Sequence, residues 1–346
     1  MFSDETAPLN KYFALPKVDL HRHLEGSLRL ATMLDIARQH GVTVPVSMLN
    51  LSGLVQVQDQ DPLTFSNFLE KFKTLRLFYK SPDVIHRVTA EAVEDAAKDN
   101  VRYLELRFTP VALSRAEGFP LHDVINWVLT SAQKAAQKYK IKVGLIASVN
   151  RHESPELAEQ VAWLAAEKIK QGLVGLDLAG NEAEFKSDSF HGIFKEAKQA
   201  GLRITIHAGE WGPAENVRDA IENLGAERIG HGVRVMEDEK VASLARERRT
   251  VFEVCPTSNF QSGVVKTFEL HPLPRMLESG LKVTVNTDDP SVSRITLAHE
   301  YQDVCDKLNV PMDALKHSIL LAAESAFLDE IAKQELTASL KTELKL

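Results

Sequence analysis

Two histidines separated by one residue, His21 and His23, are the first feature of this chain that could do chemistry. They directly follow a short apolar run, Val18–Leu20. Residues i and i+2 of a strand face the same side, so the two imidazoles can point into one space. Two such imidazoles could share a metal ion, although a His-x-His pair on its own also arises by chance.

Three further polar segments follow apolar runs later in the chain. They contain His207 with Glu210 just beyond it, His231 between two glycines, and the pair Asp288 and Asp289. Each has an ordinary explanation: a structural histidine at a strand end, a histidine bound to a loop carbonyl, and an aspartate that caps a helix. Two adjacent carboxylates at the end of a buried strand are nevertheless costly unless a cation or hydrogen bonds compensate.

Taken together, these residue types indicate a metal centre that activates water. Three imidazoles and one carboxylate suit zinc and leave a position for a water molecule. Zinc lowers the pKa of that water to about 7. Such chemistry needs an acid–base carboxylate nearby, for which Glu210 is the candidate. A neutral His231 could form a hydrogen bond with the metal-bound water.

The elements that must position these residues alternate between strand and helix. Eight short apolar runs recur, at Val18–Leu20, Val101–Phe108, Val143–Val149, Val174–Leu178, Ile204–His207, Arg228–His231, Val251–Val254 and Val283–Asn286. Between most of them lie amphipathic stretches, at Ser81–Lys98, Leu121–Lys138, Pro155–Lys170, Phe190–Ala200, Ala214–Leu224 and Asp238–Arg246. This alternation predicts a parallel (β/α)₈ barrel of the TIM type. The polar segments then follow the first, fifth, sixth and eighth strands, at the end where barrel enzymes keep their chemistry.

The long gap between the first two runs predicts extra helices inserted after the first strand. We expect one barrel domain over residues 1–346, with a helical insertion at about 30–80 that forms a lid. An apolar stripe in this insertion comprises Leu63, Phe65, Phe68, Leu69 and Phe72. Core packing is the favoured explanation of the stripe. The alternative is a hydrophobic cover over a bound planar ring.

Composition limits the class of protein. The chain has 346 residues, 44% hydrophobic and 26% charged, with a net charge of −7. This suits a barrel of ~250 residues with insertions. The negative charge and the lack of a basic stripe argue against nucleic acid as a partner. Two distant cysteines, Cys255 and Cys305, do not make a disulfide framework. The acidic start, Met1–Glu5, without a long apolar run predicts no signal peptide or membrane span, hence a cytoplasmic protein.

Six ordered segments resemble those of the adenosine deaminase family. They are His21–Ser27 (HRHLEGS), Gly175–Glu182 (GLDLAGNE), His207–Glu210 (HAGE), Arg228–Gly232 (RIGHG), Cys255–Asn259 (CPTSN) and Asn286–Pro290 (NTDDP). The resemblance runs from about residue 16 to about residue 330. It implies a (β/α)₈ barrel that holds one zinc ion and binds a small purine nucleoside or base.

The resemblance also implies a role for each site residue. The zinc ligands would be His21, His23, His207 and Asp288. Glu210 would donate a proton to purine N1, and His231 would orient the zinc-bound hydroxide that attacks C6. Asp289 would bind that hydroxide or purine N7, and the backbone N–H of Gly180 would bind N3. Phe68, Leu69 and Phe72 would contact the purine if the insertion covers the site.

Glu25 departs from the family pattern. Many adenosine deaminases carry Asp at this position, where it contacts the ribose, and Glu also occurs in relatives that act on free adenine. The segments RIGHG, LAGNE and CPTSN look more like the nucleoside branch. We therefore expect deamination of adenosine, and of 2′-deoxyadenosine, to inosine and ammonia. The alternatives are a 5′-modified adenosine and free adenine, which would give hypoxanthine.

Other classes fit the sequence less well. Cytidine-type zinc deaminases use His-x-Glu with Pro-Cys-x-x-Cys, but here Pro256 follows Cys255 and no second cysteine is near. Binuclear barrel hydrolases often place a bridging lysine at the end of the fourth strand, and Gly175–Gly180 contains none. A catalytically inactive purine-binding barrel is the non-enzyme alternative, and the presence of both Glu210 and His231 argues against it.

Overall fold

A computed structural model describes residues 11–45 and 47–346. The acidic start Met1–Glu5 lies outside these residues. Eight parallel strands are hydrogen-bonded in chain order, which confirms the predicted barrel. They are β1 Lys17–His23, β2 Val101–Phe108, β3 Lys142–Asn150, β4 Leu173–Ala179, β5 Arg203–Ala208, β6 Arg228–His231, β7 Val251–Val254 and β8 Lys282–Val285.

Helices surround this barrel, and several of them form the long connection between β1 and β2. Four of them lie between β1 and β2, and the first three form the helices inserted after the first strand: α1 Leu30–His40, α2 Met48–Val55 and α3 Phe65–Leu75. The next are α4 Pro82–Lys98, α5 Pro110–Glu117, α6 Leu121–Tyr139, α7 Pro155–Ala166, α8 His191–Gln199, α9 Ala214–Glu222 and α10 Glu239–Glu247. The last are α11 Pro256–Gln261, α12 Leu273–Glu278, α13 Pro290–Ser293, α14 Leu297–Asp306, α15 Met312–Ser325 and α16 Glu330–Leu344.

The local sequence explains where these helices begin. At α4 the Ser81 hydroxyl accepts a hydrogen bond from the backbone N–H of Val84 at 3.3 Å, and Pro82 occupies the first turn. Serine at the cap and proline just after it are the preferred residues at a helix start. The face that α4 buries carries Val84, Ile85 and Val88, spaced as in an amphipathic helix.

The barrel closes where β8 meets β1. The backbone N–H of Asp288 donates to the carbonyl of His21, and the N–H of His23 donates to the carbonyl of Asp288, both at 2.8 Å. The strand therefore extends beyond the apolar run Val18–Leu20 through His23, so that both histidines lie on it. Three residues that could bind a metal thus also complete the backbone ring.

Neither cysteine forms a disulfide: Cys255 is buried and Cys305 is half-buried. No helix among residues 11–45 and 47–346 combines the length and apolar character needed to cross a bilayer.

Candidate active site

Five side chains converge at the carboxyl end of the barrel. His21 and His23 lie on β1, His207 on β5 and His231 at the end of β6, and Asp288 follows β8. His23 Nε2 lies 3.3 Å from both His207 Nε2 and Asp288 Oδ1, and His21 Nε2 also lies 3.3 Å from Asp288 Oδ1. Donor atoms of His21, His207, His231 and Asp288 all lie within 4.8 Å of one another. All four predicted ligands and the predicted catalytic histidine therefore share one cluster.

This cluster fits a metal ion. Its donors are imidazole nitrogens and a carboxylate, the set that zinc and similar ions prefer. His21 Nε2 is buried, and despite the nearby Asp288 Oδ1 it forms no hydrogen bond of acceptable geometry with the residues that the structure describes. A buried polar atom without a partner is costly, and a bound cation would remove that cost.

Two carboxylates orient the histidines from behind. Glu253 Oε2 lies 2.9 Å from His21 Nδ1, and Asp177 Oδ1 lies 2.9 Å from His207 Nδ1. A carboxylate at Nδ1 fixes the proton there, so the lone pair of Nε2 faces the cluster. Arg107 lies between these acids, 2.7 Å from Glu253 and 3.4 Å from Asp177.

The charges around these carboxylates keep them ionised. Burial raises the pKa of Asp177, but the neighbouring His207 and Arg107 outweigh burial and hold that pKa below its usual range. Burial likewise raises the pKa of Glu253, but the nearby Arg107 and Arg228 outweigh burial and hold that pKa well below its usual range. Sequence reasoning assigned no role to Asp177 or Glu253. The available signal was an acidic residue inside an otherwise apolar buried strand, β4 and β7 respectively.

Backbone conformation also brings His231 and Asp288 inward. Their φ angles are +60° and +61°, in the left-handed region that residues other than glycine rarely adopt. Such conformations persist only where the surroundings enforce them, and they are frequent at functional sites. Gly230 makes room beside His231, because a Cβ there would lie 2.9 Å from His21 Cε1.

Glu210 lies in the turn after β5, only 3% exposed, with Oε2 3.6 Å from His231 Nε2. Burial and then the neighbouring Asp288, Glu182 and Asp289 raise its pKa well above the usual range. A raised pKa favours the protonated form of the carboxyl group. A buried carboxyl group of this kind beside the cluster is suited to act as a general acid.

Glu182 holds the turn that carries Glu210, a role that sequence reasoning did not assign. Its carboxylate accepts hydrogen bonds from three consecutive backbone N–H groups, of Gly209, Glu210 and Trp211, at 2.9, 2.6 and 2.9 Å. The Asn216 side-chain amide donates to the same carboxylate at 2.8 Å. Three parallel amides around one carboxylate form a rigid, charge-assisted clamp.

Asp289, predicted to bind substrate, lies buried next to the cluster. Its Oδ1 has no hydrogen-bond partner within the described part of the chain. Burial and then the adjacent Asp288 and Glu25 raise its pKa well above the usual range. Gly26 is the residue that admits this side chain, since a Cβ on Gly26 would lie 1.9 Å from Asp289 Oδ1.

A cavity of about 280 Å³ opens above these residues. Every predicted site residue except His21, which is buried beneath it, borders this cavity. Gly180 borders it directly after β4. Phe68, Leu69 and Phe72 of α3 also border it.

The α3 stripe combines both interpretations that the sequence left open. Phe68 is 3% exposed and belongs to the hydrophobic core, whereas Leu69 is 37% exposed. Both border the cavity. Phe65 packs against Trp211 of the Glu210 turn, with ring centroids 4.0 Å apart. The helix therefore contributes to the core and covers the cavity at the same time.

Glu25 lies on the cavity wall, 5% exposed. Its Oε1 accepts a hydrogen bond from the backbone N–H of Thr109 at 2.7 Å. Its Oε2 is left without a partner among the described residues. One carboxylate oxygen is thus fixed by the barrel, and a hydrogen bond from a ligand would offset the burial of the other.

Comparison with known proteins places this geometry in a family. The family profile described as Adenosine deaminase matches residues 16–343. The curated relatives include an adenosine deaminase of Clostridium perfringens, 36% identical over 94% of this chain and 98% of the relative. An adenosine deaminase of Shewanella loihica is also 36% identical, with the same coverage.

Solved structures agree in fold along the whole barrel. An adenine deaminase from Arthrobacter aurescens has a TM-score of 0.88 and 26% identity, covering 96% of this chain and 100% of that chain. A Burkholderia ambifaria amidohydrolase with bound zinc has a TM-score of 0.90 and 25% identity, covering 100% and 95%. Arabidopsis ADAL complexed with IMP has a TM-score of 0.86 and 25% identity, covering 97% and 99%.

Proposed function

The chain belongs to the adenosine deaminase family, whose members are hydrolases that act on carbon–nitrogen bonds, and from this premise we propose that it deaminates adenosine and 2′-deoxyadenosine to inosine and 2′-deoxyinosine. Water replaces the 6-amino group, which leaves as ammonia. The observation that carries the proposal is the buried Glu210, whose pKa is raised, beside a cluster of four histidines and Asp288. The curated relatives at 36% identity support the choice of adenosine.

One zinc ion is the cofactor that we propose. His21, His23, His207 and Asp288 would hold it, and the bound zinc of the B. ambifaria structure supports this choice of metal. When bound, zinc lowers the pKa of a coordinated water to about 7. His231 is set apart from the ligands by its partner, because the Asn259 amide nitrogen rather than a carboxylate lies 3.1 Å from its Nδ1. This suits a residue that donates a hydrogen bond from Nε2.

Proton transfer is the task of Glu210 in this proposal. The purine ring accepts electron density when water adds at C6, and protonation of N1 neutralises that charge. Burial and the neighbouring carboxylates raise the pKa of Glu210, and the Glu182 clamp holds the turn that places it on the cavity wall. A positioned general acid of this kind contributes roughly 10²–10⁴-fold to a rate.

Asp289 and Gly180 would orient the purine ring. Purine N7 and N3 are hydrogen-bond acceptors, so each needs a donor. The raised pKa of Asp289 favours the protonated carboxyl group, which would donate to N7, and the backbone N–H of Gly180 suits N3. Phe68, Leu69 and Phe72 would contact the ring face, with α3 as a lid that limits the access of water.

Glu25 supports the nucleoside as substrate. Its free Oε2 is an acceptor at the cavity wall, which suits a ribose hydroxyl. The second candidate function is deamination of free adenine. It is favoured by glutamate at this position and by the likeness to the A. aurescens adenine deaminase.

A spectrophotometric panel distinguishes these substrates. We expect kcat/KM for adenosine and 2′-deoxyadenosine to exceed that for adenine, for N6-methyladenosine and for 5′-phosphorylated adenosine. Glu25→Gln keeps the shape of the side chain but removes its charge, and it should lower kcat/KM for adenosine without changing that for adenine. Turnover of adenine alone would contradict the proposed substrate.

A further inference from the structure

We propose that His271 and Asn259 form a buried hydrogen-bonded relay that keeps the proton of neutral His231 on Nε2. Nε2 is the nitrogen that faces the cavity. His271 is then a positioning residue for the deamination, although it lies outside the cavity wall. This inference rests on the proposed function, because His231 needs an Nε2 proton to bind the attacking water.

The relay starts at the backbone. The N–H of Leu273 donates to His271 Nδ1 at 3.1 Å. A backbone amide can only donate, so Nδ1 accepts and a neutral His271 carries its proton on Nε2. His271 is 3% exposed, and burial lowers its pKa to about 3, which keeps the ring neutral.

The next link fixes the orientation of the Asn259 amide. His271 Nε2 lies 3.2 Å from Asn259 Oδ1. Because this nitrogen carries the proton, the amide atom that faces it must be the acceptor oxygen; the flipped amide would bring two donors together. Asn259 is fully buried, so no bulk water competes for this contact.

The last link sets the tautomer of His231. With Oδ1 directed at His271, the amide nitrogen of Asn259 is directed at His231 Nδ1, 3.1 Å away. Nδ1 must then accept, which leaves Nε2 as the protonated nitrogen of the neutral ring. That N–H lies 3.6 Å from Glu210 Oε2 and 3.9 Å from Asp288 Oδ2.

The histidines of the cluster therefore have two kinds of hydrogen-bond partner at Nδ1. The carboxylates of Glu253 and Asp177 accept hydrogen bonds from the Nδ1–H groups of His21 and His207. The Nε2 lone pairs of these two histidines are therefore free to bind a metal. At His231 the Asn259 amide donates to Nδ1, so the proton of the neutral ring lies on Nε2. The relay thus makes His231 a hydrogen-bond donor in the midst of residues that suit a cation.

Local packing holds the relay together. Asn259 lies on α11, and His271 follows the helical turn Phe268–Leu270. Phe260 of α11 packs edge-on against Phe268, with ring centroids 6.2 Å apart. This contact brings the His271 segment against α11 so that the two polar side chains meet inside an apolar layer.

The test compares two replacements of His271 in the zinc-loaded protein. In His271→Gln the side-chain amide nitrogen reaches the position of Nε2 and can still donate to Asn259. In His271→Asn the side chain reaches only the Nδ1 position, where it can accept from Leu273 but cannot contact Asn259. We expect kcat of the Gln variant within about 3-fold of wild type. The Asn variant should lose roughly 10–100-fold in kcat, with KM for adenosine and zinc content little changed.

The tautomer itself is measured by ¹⁵N NMR of histidine-labelled protein, with the His231 signals assigned from their loss in His231→Gln. Wild type and His271→Gln should show a protonated Nε2 and a bare Nδ1. His271→Asn should show a mixture. Asn259→Asp replaces the amide donor by an acceptor of the same shape and should move the proton of neutral His231 to Nδ1, with a loss of about 100-fold in kcat. Asn126→Asp is the matched control, because Asn126 contacts an exposed histidine, His122, and should change nothing.

The relay is wrong if wild-type His231 carries its proton on Nδ1, whatever the variants do and whether or not they fold. It is also wrong if His271→Asn keeps both the Nε2 proton and wild-type kcat. Failure of the proposed function looks different: an Nε2 proton with no deamination of adenosine leaves the relay intact and contradicts only the activity.

Discussion

Replacement of Gly26 by alanine should push Asp289 out of position. The new Cβ would lie 1.9 Å from Asp289 Oδ1 and 2.4 Å from both its Cβ and Cγ, whereas ordinary contact begins at 3.4 Å. The carboxyl group must therefore move by about 1.5 Å. Because Cβ and Cγ of Asp289 clash as well, rotation of the carboxyl group alone does not relieve the contact.

A displacement of this size has a calculable cost. A misplacement of about 1 Å at a reacting centre costs roughly 100-fold in rate. We therefore expect kcat/KM for adenosine to fall at least ~100-fold, equivalent to about 2.7 kcal/mol of transition-state stabilisation. Overpacking of the buried site should also lower the stability by about 1–3 kcal/mol.

The assay is the loss of adenosine absorbance on conversion to inosine, together with thermal unfolding and zinc content. Gly53→Ala is the matched control, since Gly53 lies in helix α2 of the same insertion and a Cβ there has no neighbour within 4 Å. It should keep full activity and gain about 1 kcal/mol of stability. If Gly26→Ala retains kcat/KM within a few-fold while folded and zinc-loaded, Asp289 does not orient the substrate as argued.

Three further changes test other parts of the site. Glu210→Gln should keep its zinc and lose roughly 10²–10⁴-fold in kcat, because only the donated proton is removed; near-wild-type turnover would rule out Glu210 as the acid. Asp177→Asn should weaken zinc affinity by roughly 10–100-fold in a competition titration with a chelator, because His207 loses its carboxylate partner; unchanged affinity would mean that this contact does not support the ligand. Burial raises the pKa of Glu300 to about 8, so its folded form keeps a proton that the unfolded chain has already lost, and stability should fall as pH rises from about 4.5 to 8. Glu300→Gln should flatten that part of the curve of unfolding free energy against pH, and the exposed Glu335→Gln should not.

The strands, and the meeting of the candidate metal ligands at one end of the barrel, could be predicted because they depend on local pattern. Apolar runs of strand length indicate where the strands lie along the chain. The polar residues that follow these runs lie at the carboxyl end of the barrel. The strand β1 extends beyond its apolar run for a physical reason. Apolar character stops at Leu20, but backbone pairing with Asp288 continues the strand to His23.

The partners behind the histidines could not be predicted, because they come from distant parts of the chain. Glu253 lies 232 positions from His21, and the pattern of either segment alone says nothing of their contact. The Glu182 clamp and the His271 relay depend in the same way on which loops meet above the barrel. The amphipathic α3 remained ambiguous because one face serves both the core and the cavity.

Titration of the metal-free protein with zinc, with ammonia release from adenosine as the readout, tests whether one zinc ion supports the deamination. We expect no turnover without metal, a linear rise in turnover to one equivalent of zinc, and a plateau beyond it. One ammonia and one inosine should form for each adenosine consumed. A plateau only at two equivalents would contradict the single-metal site. An absence of ammonia release from adenosine at full zinc occupancy would contradict the proposed reaction.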